Sequence, residues 1–215
     1  MSRESYNKLP EQRRKLILDC GIAEFSRKSY TDAGTDTITK ASGISKGLLF
    51  HYFGSKREFY LYCLEQALSA ITSGGMPASH TDGFYDILFS MMDAKINLCL
   101  RFPNETRMVN MAARETSAEI SESKKAVLLK FMVLTKATSS AVLNRAISVL
   151  PLKNPAEKEK VSVGLSIYIN ALINRYLEIY QERPNAFFAA AEAIKAELKA
   201  HIDLMLYGVA REKGI

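Results

Sequence analysis

The sequence is poor in the residues that build metal centres, covalent frameworks and reactive sites, and that scarcity excludes several classes of function. Its three cysteines, Cys20, Cys63 and Cys99, are odd in number, far apart and without a CxxC pair, so neither a disulfide framework nor a thiolate metal site is supported. Each reads as a small buried hydrophobe in a reducing compartment. His51, His80 and His201 show no local pairing, and no Glu-x-x-His, His-Glu-x-x-His or Gly-rich phosphate loop is present. No enzymatic activity, cofactor or metal is therefore expected. Export and membrane signals are missing too. Met1 to Asp19 mixes Arg3, Glu4, Lys8, Glu11, Arg13, Arg14 and Lys15 with few apolar residues. The longest uncharged stretches, such as Val161 to Asn174, fall short of the ~20 apolar residues that span a bilayer. A cytoplasmic protein with no membrane partner is the expectation.

Sustained period-2 alternation is also lacking, whereas helical periodicity runs from end to end, so an all-α fold of about nine helices is predicted. A first helix from Pro10 to Lys28 carries Ile17, Leu18, Gly21, Ile22 and Phe25 as a core stripe. Short helices follow from Thr35, a candidate N-cap, to Ala41 and from Ser45 to Phe53. A longer connector begins at the capping box Ser55-Lys56-Arg57-Glu58 and runs toward Ile71. After a break at Ser73-Gly74-Gly75-Met76-Pro77, further helices are expected near 82–102, 104–116, 121–149, 156–182 and 185–211.

Charge is unevenly divided. The first 57 residues hold 11 Lys+Arg against 6 Asp+Glu, and the remainder holds 18 against 17. Positive charge gathered in one segment suits attraction to phosphates, though a solvated basic helix face would give the same count.

The stretch TDTITKASGISKGLLFHYFGSK, Thr35 to Lys56, carries the most specific signal: two short helices joined at Ser42-Gly43-Ile44 form a helix-turn-helix pattern, with Gly43 placed for the turn's positive φ. Ile38, Ile44, Leu49 and Phe53 would pack inward. That leaves Ser45, Lys46, Gly47, Phe50 and His51 for an exposed side fit for a major groove, with Gly47 permitting close approach.

This block resembles the DNA-binding domain of the TetR/AcrR family, whose common pattern is T…IA..AGVS.G.LY.HF.SK. Thr35, Ile38, Gly43, Ile44, Ser45, Gly47, Leu49, Phe53, Ser55 and Lys56 match it, and Ile17-Leu18, Phe25 and Tyr30 fit the family's first helix. Departures are Thr39 and Ser42 for two alanines, Ser29 for a glycine, and Phe50 where the family often has Tyr, which removes a hydroxyl from the DNA-facing side. The resemblance covers about 60 residues. It implies a DNA-binding domain at 1–56 and a ligand-binding and dimerisation domain at 57–215. Thr35, Tyr52 and Lys56 would then position the phosphate backbone, with Ser45, Lys46, Phe50 and His51 at or near base edges. It also implies a homodimer that binds double-stranded DNA and answers to a small-molecule effector, most simply as a repressor released from a palindromic operator. The alternative is an architectural DNA-binding protein without an effector. Segment 161–180, apolar on nearly every side, is expected at the dimer interface, with Ile169 buried between subunits. No residue is assigned to the effector.

Overall fold

The computed structural model describes residues 2–73, 83–180 and 184–208. Among them are eleven α-helices and no strand: α1 (Ser2–Asn7), α2 (Glu11–Phe25), α3 (Thr35–Ser42), α4 (Lys46–Phe53), α5 (Lys56–Thr72), α6 (Phe84–Arg101), α7 (Pro103–Arg114), α8 (Ser121–Ser148), α9 (Lys158–Ile179), α10 (Pro184–Ala189) and α11 (Ala191–Tyr207). The all-α expectation holds. The excess over nine comes from two six-residue helices, α1 and α10. The first is held by tertiary packing rather than by local signals, and the second arises where the segment 185–211 breaks at Ala190. The predicted break at Ser73–Pro77 falls mostly outside the described residues.

The chain divides into two compact units, Met1–Gly75 with Asn97–Lys136, and Met76–Ile96 with Ala137–Ile215. The span 1–56 is thus a subdivision of the first unit. Here the segment from Ser55 is a core helix rather than a bare connector: α5 buries Phe59, Tyr60, Leu61, Cys63, Leu64, Ala67 and Leu68. They join Ile17, Ile22 and Phe25 of α2 and Met108 and Ala112 of α7 in one apolar cluster. Gly21 lets α2 and α5 approach closely, since a Cβ there would lie 2.5 Å from the Phe59 ring and 2.8 Å from the Cys63 sulfur. Burial also pushes the Cys63 thiol well up, which leaves it an inert packing group.

The second unit has its own core, built from Phe84, Ile87 and Leu88 of α6, Val142, Leu143, Ala146 and Ile147 of α8, Leu165 and Leu172 of α9, and Leu198 and Ile202 of α11. Lys195 of α11 is buried in this unit. It is paired with Asp93 and with Glu192, the latter at 2.7 Å. Helix α8 meets the length and hydropathy of a membrane span, with a mean hydropathy of 1.5 in its best window. Part of it is used in packing: Val127, Leu128 and Phe131 pack on the first core and Val142, Leu143, Ala146 and Ile147 join the second, while Leu129, Met132, Val133 and Leu134 are exposed.

Candidate nucleic-acid interface

The site rests on α3, which packs against α2, and on α4, which packs against α1, α3 and α5. Ile38 and Leu49, 1% and 0% exposed, anchor the two short helices, and Ile44 packs beside them. Between them Gly43 adopts φ 64°, ψ 35°, the left-handed turn conformation that glycine takes without steric cost. Arg13 fixes that turn from outside, its guanidinium donating to the Gly43 carbonyl at 2.7 Å. No sequence motif marked Arg13; only the fold brings it there.

Helix α4 starts at Ser45, whose hydroxyl accepts the Leu48 N–H at 3.1 Å. Ser45, Lys46, Gly47 and His51 are all exposed, Phe50 is half-buried, and Leu48 adds an exposed apolar group that the sequence reading left out. An added Cβ at Gly47 would meet only the Ser45 hydroxyl at 4.0 Å, so no internal contact demands a glycine there. Lys46 pairs with Asp36 of α3 at 3.0 Å, with both side chains mostly in solvent. Such a pair contributes little to stability and leaves the ammonium free to exchange partners.

Two expected backbone-positioning residues sit deeper. Thr35 is not the cap of α3 but its first residue, buried, with Gly34 in the cap position. The Gly34 N–H goes to Glu24 at 3.0 Å instead, and Lys28 holds the same carboxylate at 2.8 Å. Burial pushes the Glu24 carboxyl up, but these hydrogen bonds outweigh it and leave it below its ordinary range. Tyr52 is 6% exposed, its ring 5.9 Å from Tyr6 of α1. Lys56 opens α5 after the cap Ser55, whose hydroxyl accepts the Glu58 N–H at 3.1 Å. Its ammonium donates to the Thr31 carbonyl at 3.2 Å and stands 4.9 Å over the Tyr30 ring.

A capped helix with a small, cationic, exposed face, set by a left-handed glycine against a preceding short helix, is the geometry of a major-groove reader. Residues 17–63 match the family described as bacterial regulatory proteins, tetR family. That match covers this N-terminal segment alone. Among curated TetR-type relatives, the HTH-type transcriptional activator FasR of Mycolicibacterium smegmatis is 36% identical over 76 residues, 35% of either chain. The transcriptional regulator AcuR of Cereibacter sphaeroides is 35% identical over 49 residues, 23% of this chain and 22% of that one. The matches therefore span about a third or less of these relatives' length. Solved TetR structures extend the likeness in fold. A TetR-like regulator from Rhodococcus sp. RHA1 aligns over 94% of this chain and 100% of its own at 15% identity and a TM-score of 0.59. A TetR family regulator from Chloroflexus aurantiacus aligns over 97% and 98% at 21% and 0.51.

Proposed function

We propose that this chain is a cytoplasmic, non-enzymatic transcriptional regulator of the TetR type that binds operator DNA as a homodimer and is released from it by a small molecule. The exposed run Ser45, Lys46, Gly47, His51 on the capped α4 carries this reading, because it sets donors and a close-approach glycine on one solvent face. In this reading Lys56, with Thr35 and Tyr52 behind it, orders the phosphate side, and Phe50 borders the base-reading face. The functional division is 1–56 for DNA and 57–215 for effector and dimer, although packing unites α5, α7 and part of α8 with the DNA-binding helices.

Exposed apolar side chains support the dimer. Val163 and Ile167 of α9, 54% and 67% exposed, lie one turn apart, and α11 adds Leu204 and Tyr207 at 50% and 74%. Ile169 is a poorer choice for that interface, since it packs against the core of its own unit.

Footprinting on genomic fragments tests the proposal. A regulator protects one or a few palindromic sites, whereas broad coating of DNA would favour the architectural alternative. A reporter carrying the protected site then reads the sign of regulation, with rising expression on loss of the protein expected for a repressor.

A further inference from the structure

Tyr30 joins the connection between α7 and α8 to the one lysine offered above as a phosphate contact. Its backbone N–H donates to Glu115 at 2.6 Å and its hydroxyl to Glu119 at 2.5 Å, both carboxylates more than eighty residues away in sequence. The ring is 3% exposed and edges onto Tyr60 of α5 at 5.2 Å. On the ring's other surroundings stands the Lys56 ammonium, 4.9 Å from its centre, which also donates to Thr31, the next residue. Of the ammonium's three donors one is thus engaged, and two remain for a phosphate.

The carboxylate end of this chain of contacts is itself held. Glu115 accepts the Ser117 N–H at 2.9 Å, its carbonyl accepts from Lys124, and Ile120 is wholly buried in the first core. Arg57, beside Lys56, donates to Ser123 at the start of α8. Burial and the Glu119 carboxylate both push the Tyr30 hydroxyl up, so it stays a donor across the ordinary pH range.

We infer that Tyr30, Glu115 and Glu119 are positioning residues for Lys56, so that the 115–119 connection sets the DNA affinity of a helix-turn-helix it does not itself belong to. This rests on the DNA-binding reading of the site. Glu119 acts on Lys56 through the Tyr30 hydroxyl and ring.

The test is a double-mutant cycle on the full-length protein, measured by DNA titration at several salt concentrations. Tyr30→Phe and Glu119→Gln should each weaken binding roughly 3- to 10-fold on the protected site and on random DNA alike, with the salt slope falling toward that of Lys56→Ala. In the Lys56→Ala background the same substitutions should have almost no further effect, because the group they position is gone. Fully additive losses would reduce the three residues to ordinary stabilisers and overturn the inference, as would unchanged binding in both single variants. Tighter binding by Glu119→Gln with no change in Tyr30→Phe would point to plain charge repulsion and overturn it as well. If circular dichroism shows Tyr30→Phe misfolded, the Glu119→Gln cycle decides alone. Failure of the unmodified protein to bind any DNA would instead sink the regulator reading, which keeps the two failures apart.

Discussion

At Gly47 the chain carries a glycine that costs it helix stability, and the space around it is open out to the Ser45 hydroxyl at 4.0 Å. Gly47→Ala should therefore raise stability by up to about 1 kcal/mol in thermal unfolding while weakening operator binding, because the new methyl stands where the DNA backbone would approach. Unchanged affinity in a stabilised variant would remove Gly47 from the interface. The Lys46→Ala change should leave the melting temperature almost untouched, since its partner Asp36 is 80% exposed, yet cost roughly 1–3 kcal/mol on the cognate site. Glu24 behaves differently, for its work is internal. Its folded-state carboxyl lies below the ordinary glutamate value of 4.5, so the stabilisation it provides is complete above that value and disappears as pH falls through the lowered range. Glu24→Gln should accordingly lower the melting temperature at pH 7, and the gap to the unmodified protein should close as the pH falls through that lowered range. A gap that persists in acid would mean that lost packing, rather than ionisation, sets the difference.

Among the elements, the crossing of α2 and α5 governs how the DNA-binding helices are carried. Gly21→Ala would drive a methyl to within 2.5 Å of the Phe59 ring, which is 0% exposed and has little room to yield. A loss of about 1–3 kcal/mol is expected by denaturant titration, the range for overpacking a filled core. The same crossing changes what an insertion in α5 would report. Gly-Gly placed after Gln66 would displace Ala67 and Leu68 from the first core, so loss of ligand response there would reflect misfolding as much as uncoupling. Helix α2, the turn at Gly43 and the exposed run of α4 were legible in the sequence because local periodicity and a glycine mark them, whereas the cap expected at Thr35 falls to Gly34, and Ser45, expected only on the exposed side, caps α4. Helix α1 was not legible. Its evidence is Tyr6, buried against Phe53 and Tyr62 at 4.9 and 5.6 Å and donating to the Arg14 carbonyl at 2.9 Å, and such contacts exist only after folding. The same holds for Arg13 on Gly43, Glu24 on Gly34 and the Tyr30 contacts, which join segments that no local pattern relates.

At the scale of the whole molecule, two copies and an effector have to be argued together. Ile167→Glu should shift sedimentation toward a single 24.0 kDa chain and, with it, weaken operator binding, because it places a charge on an apolar side chain of α9 that is 67% exposed. Ile169→Glu should instead lower stability first, as its side chain packs into its own unit. A dimer that survives Ile167→Glu with undiminished DNA affinity would move the interface elsewhere. In a twofold dimer, two copies of α4 must reach successive major grooves about 34 Å apart, so an effector has only to disturb that spacing by a few ångströms to spoil many contacts at once. The thermodynamics of such control is reciprocal: if an effector weakens operator binding by some factor, typically about 5–150-fold, operator DNA must weaken effector binding by the same factor. A compound found by thermal shift can therefore be titrated calorimetrically against the free protein and against its operator complex. Equal affinities in the two titrations would exclude that compound as an allosteric inducer, however tightly it binds. Unequal affinities that match the loss of operator binding would establish the coupling with no knowledge of the pocket that produces it.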